Sequence, residues 1–387
     1  MFGFGRKDQD AAPARREVKA SAAGRVIAWG TVGRNVWSAR DTVSLTRSGF
    51  ASNPVGFRAV KLIAEAAAAV PVVVGDGAAR FEVHPVMDLL RRPNGTQGRA
   101  ELFEALFGQL LLSGDAYLEA VGPEGVPLEL HVLRSDRMSV VPGPDGWPAA
   151  YDYSVGGRSH RFKVGEVSPV LHIRSFHPLD DHYGLSPFQA AGSAIDVHNA
   201  ASAWSKGLLD NAARPSGAIV HRGEAPLTQE QFDQLTAALE AHHQGSRNAG
   251  RPILLDGGLE WESMGLSPSD MEFQKTKEVA AREIAMAFGV PPMLLGIPGD
   301  ATYANYVEAN RAFYRLTVLP LVGRVSDAVA RWLSTHMGEA LDIQPDRDRI
   351  PALQAERDAE WQRIAQADFL TAAEKRERLG LPPLGDA

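Results

Sequence analysis

The stretch FGVPPMLLGIPGDATYANYVEANRAFYRLTVL, residues 288–319, ends one amphipathic helix, crosses a loop rich in Pro and Gly, and begins a second helix. Upstream, Phe273, Ala280, Ile284 and Phe288 recur at helical spacing, with Lys275, Glu278 and Arg282 on the opposite face. Gly289 and the pair Pro291-Pro292 stop this helix, because proline lacks the amide hydrogen and clashes with the preceding turn. Downstream, Val307, Phe313, Leu316 and Leu319 open a second apolar face, which Leu321, Val325, Ala328, Val329, Trp332 and Leu333 carry past Pro320. Pro320 is expected to kink that helix. The intervening loop, 289–305, exceeds the roughly 12 residues usual for a connection without a task, and it carries the polar groups Asp300, Thr302, Tyr303 and Asn305.

Working upstream, residues 187–213 read as a helix of about 27 residues, roughly 40 Å long at 1.5 Å per residue. Arg214-Pro215 ends it, and a small α/β insertion follows: strand SGAIVH, helix LTQEQFDQLTAALEAHH, then strands PILLD and LEWESM. Only then does the helix at 270–288 return, so the pattern is a helical hairpin with a knob at its far end. Ala200, Ala201, Ala203 and Gly207 on the outgoing helix, with Ala280 and Ala281 on the returning one, are small enough to let the two approach closely. The knob helix displays Gln229, Glu230, Gln234 and Glu240, and Arg247 lies just beyond it. No convergent acid, base or nucleophile accompanies them.

Between residues 53 and 113 three helical patterns occur, at 53–70, 85–92 and 99–113. The period then changes: DAYLEAV, PLELHVL, MSVV, AAYDYSV, RSHRFKV and VLHIRSF are short β-rich runs punctuated by GPEG, PGPDGWP and GG, as in an antiparallel meander. At the other end, 352–366 reads as a helix, and Thr371-x-x-Glu374 is a capping box opening a last one. The chain is therefore of the α+β class.

Hydrophobic residues make up 44% of the 387 and charged residues 22%, the balance of a folded globular chain. Without cysteine, disulfides and thiolate metal sites are excluded. No apolar run reaches the roughly 20 residues of a membrane span, and MFGFGRKDQD puts charge where a signal peptide would have its apolar core. The formal charge of −7 is uneven, since residues 1–50 hold nine basic side chains against four acidic ones, the composition of a flexible basic arm.

No G-x-x-x-x-G-K-[ST] run is present to cradle a nucleotide phosphate, and no G-x-S-x-G elbow to present a nucleophile. Ser186 and Ser267, each followed by Pro, read as helix N-caps. Asp180, Asp181 and His182 form the one cluster that suggests a divalent metal, as in a nuclease; the same residues before a helix also serve as turn and N-terminal charge. The folded part lacks the basic patches interleaved with aromatics that capture nucleic acid. A duplex bears about one negative charge per 1.7 Å, so an acidic or neutral wall would let it slide.

Several segments, in order and spacing, resemble the portal proteins of tailed phages and phage-derived gene transfer agents: NPVGFRAVKLIAEAAAAVP (53–71), HPVMDLLRRPN (84–94), DDHYGLSPFQAAGSAIDVHNAA (180–201), NAARPSGAIV (211–220), NAGRPILLDGGLEWESMGLSP (248–268) and AAREIAMAFGVPPMLLG (280–296). The resemblance implies an arm at 1–50, an α/β wing at 51–185, stem helices at 186–213 and 269–288 around a clip at 214–268, a tunnel loop at 289–305, a long kinked helix at 306–336 and C-terminal helices at 337–387. It further implies a ring, usually of twelve copies, at one vertex of a phage-like particle assembled in the bacterial cytoplasm. Double-stranded DNA would pass non-specifically through the centre. The major capsid protein, the terminase large subunit and a head-tail adaptor would be the protein partners, with no cofactor, metal or catalytic residue. The rivals are a metal-dependent nuclease built on Asp180, Asp181 and His182, and a ring-forming tail or adaptor protein.

Overall fold

The computed structural model describes residues 41–77, 79–123, 126–210, 217–222, 228–231, 233–234, 237, 259–263, 273–299 and 302–379. Of the basic arm expected at 1–50, residues 1–40 lie outside these residues, as do the strand expected at 252–256 and Ser267; from Thr42 on the expected arm is helical.

A helical turn, α1 (Thr42–Leu45), leads into a π-helical segment, Thr46–Ala51, and then into α2 (Pro54–Ala69). Asn53 caps α2: its Oδ1 accepts from the amides of Val55 and Gly56, both at 3.0 Å. That fixes the direction of its amide NH2, which donates to Asn199 Oδ1 at 2.9 Å and to His198 Nδ1 at 3.2 Å. After β1 (Val72–Gly75), α3 (Pro85–Arg91) and α4 (Arg99–Ser113) follow, each within a residue of its expected bounds. Ala59, Ile63 and Ala67 of α2 meet Leu102, Leu106 and Leu110 of α4 in the main core.

The β region is not one meander. β2 (Asp115–Val121) lies between β3 (Glu129–Leu133) and β7 (Val170–Arg174), while β4 (Met138–Pro142), β5 (Pro148–Val155) and β6 (Arg158–Lys163) form a separate three-stranded meander inserted between β3 and β7. The alternating pattern marks strands but leaves open which strand a distant one rejoins. Gly156 and Gly157, at φ of 58° and 78°, make the β5–β6 turn. Between the sheets sits a second core, in which the Tyr117 ring stacks on His172 at 4.2 Å and His172 Nε2 meets Asp115 Oδ1 at 2.8 Å.

The chain leaves this layer at a tight crossing. Gly114 and Gly184 touch back to back: a Cβ on Gly184 would lie 2.0 Å from the Gly114 carbonyl oxygen. The Gly184 amide donates to Asp115 Oδ1 at 2.9 Å. Ser186 then caps a single turn, α5 (Pro187–Ala190), accepting from the Phe188 amide, and α6 (Gly192–Asp210) follows after a break at Ala191. The expected single long helix is thus two. Its partner, α7 (Phe273–Ala287), returns alongside it.

Ala201, Ala280 and Ala281 are buried, whereas Ala200 and Ala203 are exposed. A Cβ on Gly207 would meet nothing within 4 Å, so no close approach within this chain requires that glycine. The Trp204 and Phe273 rings stack at 4.2 Å toward the distal end, and Phe188 meets Phe288 edge-on at 4.9 Å at the base.

The long helix past the loop comprises α8 (Tyr303–Phe313), a π-helical segment at Tyr314–Val318 and α9 (Leu319–Met337). Pro320 sits in the first turn of α9, where its missing N–H costs least. The disturbance expected at Pro320 therefore takes the form of a widened π turn just before it. That widening rotates the downstream register: Val318 is fully buried, while Leu316, expected on the apolar face, is 75% exposed. β10 (Asp342–Pro345) pairs antiparallel with β1, a contact the sequence reading does not contain. Short helices α10 (Gln354–Ala365) and α11 (Ala372–Arg378) complete the described chain, the latter opened by the expected Thr371–Glu374 capping box.

Replacing Ala281 with Trp overpacks the α6–α7 contact and is expected to cost about 1 to 3 kcal/mol. Ala203→Trp on the exposed face should be near neutral. Chemical denaturation of the two variants checks this, and equal stabilities would show that the helices do not meet through Ala281. Asn53→Ala removes a cap and a buried bridge, for an expected loss of about 1 to 3 kcal/mol. Burial, and to a smaller degree Lys277, holds the His198 pKa below its ordinary value. The unfolded chain then takes up the proton first, so this contribution is intact above about pH 6.5 and is lost as pH falls toward the folded pKa. Urea midpoints measured between about pH 7.5 and 5 should decline less in His198→Gln than in the parent, and parallel declines would contradict the assignment.

Candidate functional site

The site expected at 289–305 begins where α7 ends. The amide of Gly289 donates to Met286 O at 3.0 Å and that of Val290 to Ala285 O at 2.9 Å, closing the helix. Gly289 is at φ +66°, and a Cβ there would come within 2.9 Å of Thr317 Oγ1, whose hydroxyl donates to the Gly289 carbonyl at 2.5 Å. Glycine is required both by its backbone conformation and by this contact with the π-helical segment.

Beyond it Val290 is buried, a 3-10 turn spans Pro292–Leu295, and Leu294 and Leu295 pack on the main core. Gly296 turns the chain at φ +74°, and Arg282 of α7 donates to the Pro298 carbonyl. The first part of the loop is therefore an anchored strap.

Asp300 lies outside the described residues. Thr302 is exposed and caps α8, its Oγ1 accepting from the Asn305 amide at 3.2 Å. A Thr before a helix carries that signal in the sequence. Tyr303 is 86% exposed, and with Tyr306 and Val307 it makes an outward-facing aromatic and aliphatic patch on the first turns of α8. Further along, Arg311 and Arg315 reach Glu356 of α10 at 3.5 and 3.4 Å.

In the inserted knob, β8 (Gly217–His221) and β9 (Leu259–Ser263) pair antiparallel, with Ile219 opposite Trp261. Arg222 holds Glu260 at 2.6 Å and Glu262 at 2.5 Å. Thr228 and Gln231 form a reciprocal capping box, legible as T-x-x-Q, at the start of the knob helix. Gln229, Glu230 and Gln234 are exposed on it, and Gln229 Nε2 donates to Asp233 at 2.9 Å. Glu240 and Arg247 lie outside the described residues.

The Asp180–His182 cluster serves its own turn. Asp180 Oδ1 accepts from the amides of His182 and Tyr183 at 2.8 and 3.0 Å, and the first of these bonds lowers its pKa most. Arg174 donates to the Asp181 carbonyl. Among the described residues no group of three His, Cys, Asp or Glu side chains is placed to hold a metal ion, and no helix is long and apolar enough to cross a membrane.

This succession of a mixed wing, an out-and-back helix pair with an inserted strand pair, a strap and a long helix interrupted by a π turn matches a known class over nearly its whole length. The phage portal protein family profile matches residues 54–380, and the chain belongs to that family. Among solved structures it is similar to a chain in the neck of an empty gene transfer agent particle computed with C6 symmetry, at 68% identity and a TM-score of 0.72, covering 91% of this chain and 96% of that one. It is likewise similar to a chain in the neck of the native particle computed with C12 symmetry, at 67% identity and a TM-score of 0.70, again covering 91% and 96%. A probable portal protein of Streptomyces phage phiC31 is 30% identical over 295 residues, 72% of this chain and 63% of that protein.

Thr302→Ala, which removes the α8 cap, is expected to cost about 1 kcal/mol in chemical denaturation. Gly289→Ala, strained at positive φ and crowded by Thr317, should cost more. A neutral Gly289→Ala would show that the strap is not held as described.

Proposed function

We propose that this chain is the portal of a gene transfer agent or phage-like particle: a ring, of twelve copies, at one capsid vertex, through which double-stranded DNA enters and leaves. The observation that supports this best is the 67% identity, over 91% of this chain and 96% of the other, to a chain of a particle neck with C12 symmetry. The protein turns over no substrate in this reading. It conducts a polymer past twelve equivalent surfaces, while ATP-driven force comes from a terminase docked outside.

The strap and the start of α8 are then the parts that ring the DNA. The strap is braced at both ends, by Gly289 on Thr317 and by Arg282 on Pro298, so its tip is carried by the two helices it joins. Asp300, Thr302, Tyr303 and Asn305 are the candidate DNA-facing groups. Exposed hydrophobic groups at Tyr306, Val307 and Leu316 on one side, and at Val279 and Met286 of α7, suit contacts between neighbouring copies. The clip, with Gln229, Glu230, Gln234, Glu240 and Arg247, serves as the dock for the terminase large subunit and later for the head-tail adaptor. The wing faces the major capsid protein. All these partners follow from the portal reading and are tested with it.

Three experiments carry the test. In producing cells, removing this chain should abolish DNA-filled particles while capsid protein is still made; an unchanged yield of filled particles would remove the portal reading. Within it, Asp300→Lys replaces a negative by a positive charge in every copy, strengthens the hold on phosphate and should slow packaging and ejection, most at low salt. Normal kinetics in that variant would move the constriction elsewhere. Deleting residues 214–268 should abolish terminase capture in a pull-down and leave the wing folded by circular dichroism, whereas retained capture would relocate the dock.

A further inference from the structure

A second charged feature lies away from the strap and the clip. One face of α9 (Leu319, Gly323, Arg324, Asp327 and Arg331) and the segment from Gln344 to Asp348 enclose an open cleft of about 940 Å³, whose rim includes Arg80, Arg357 and Arg378. In a chain of net charge −7, seven arginines line this cleft against three aspartates, with no lysine and no aromatic side chain.

The arginines divide into two groups. Arg315 reaches Glu356 at 3.4 Å, Arg357 holds Glu360 at 2.9 Å and touches Asp348, and Arg378 lies in the field of Glu374. Arg80, Arg324, Arg331 and Arg347 have no carboxylate within ion-pair distance among the described residues, although all four side chains reach solvent. Partial burial lowers the pKa of Arg324. Arg324 and Arg331 are two turns apart on one helix face, about 10 Å along its axis.

We propose that this cleft is a binding site for the backbone phosphates of double-stranded DNA. Planar guanidinium forks match phosphate oxygens, and the 10 Å separation compares with the roughly 3.4 Å of axis per phosphate on one strand. Without an aromatic side chain to stack a base, the cleft suits a duplex backbone better than a single strand or a nucleotide. The site rests on the portal reading only in that the ring meets DNA. It adds a grip on duplex lying beside the channel.

The test uses the full-length, assembled protein and a fluorescent duplex of about 30 base pairs, titrated by anisotropy between about 50 and 200 mM salt. Arg324→Gln with Arg331→Gln should weaken binding at least tenfold at the lowest salt and make the log–log salt dependence shallower by about 2, the loss of two phosphate contacts. Sedimentation and thermal melting of the double variant confirm that it still assembles and folds. Failure of the parent to bind duplex, or unchanged affinity and slope in the variant, overturns the proposal. So does polyglutamate binding as tightly as duplex with the same arginine dependence, which would assign the cleft to an acidic protein segment. Loss of the ring with duplex affinity per chain unchanged would make it a contact between copies. Normal duplex binding together with normal rings and filled particles removes this site and leaves the portal reading standing; filled particles made without the chain remove the portal reading whatever the cleft binds.

Discussion

The packing of α6 against α7, on which Ala201, Ala280 and Ala281 are all buried, is the constraint on which the rest of the molecule depends. Both the inserted strand pair and the strap hang from these two helices. The base of the hairpin is fixed by the Phe188–Phe288 contact and by the buried Asn53 amide, which ties the start of α2 to His198 and Asn199 of α6. A polar node at that point specifies one orientation of wing and stem, because its donors and acceptors are satisfied only when the three residues meet.

The same economy governs the strap. A long connection would ordinarily sample many conformations, at an entropic cost that grows slowly with its length. Here Val290, Leu294 and Leu295 bury apolar surface, and Thr317 and Arg282 take up loop carbonyls. The π turn before Pro320 is part of this arrangement, since it carries Thr317 to the Gly289 carbonyl. In the ring we propose, a braced strap would present the same surface to DNA from every copy.

Much of this was legible in the sequence. Apolar periodicity and caps place α2, α3, α4 and α7 within a few residues, and Ser186, Thr371 and Glu374 act as their positions imply. What escaped has physical reasons. The β1–β10 pair joins two four-residue strands separated by most of the chain, and such short runs carry no partner information. Leu316 keeps helical spacing in the sequence yet faces solvent, because periodicity presumes 3.6 residues per turn and the π segment departs from it. Thr302 is polar and also stands before a helix, so its side chain is taken up as a cap. The arginine cleft gathers side chains from α9, the turn after β10, α10 and α11, so no local stretch of sequence announces it.

The central claim is that twelve copies of this chain close into a ring around a passage for DNA. Electron micrographs of the purified full-length protein, class-averaged down the assembly axis, test it most directly. The account predicts closed rings with twelvefold symmetry and an open centre, about 20 Å or more across, wide enough for a duplex whose major groove alone is about 12 Å wide. Averages showing only monomers, or rings whose centre is filled by protein, would contradict it.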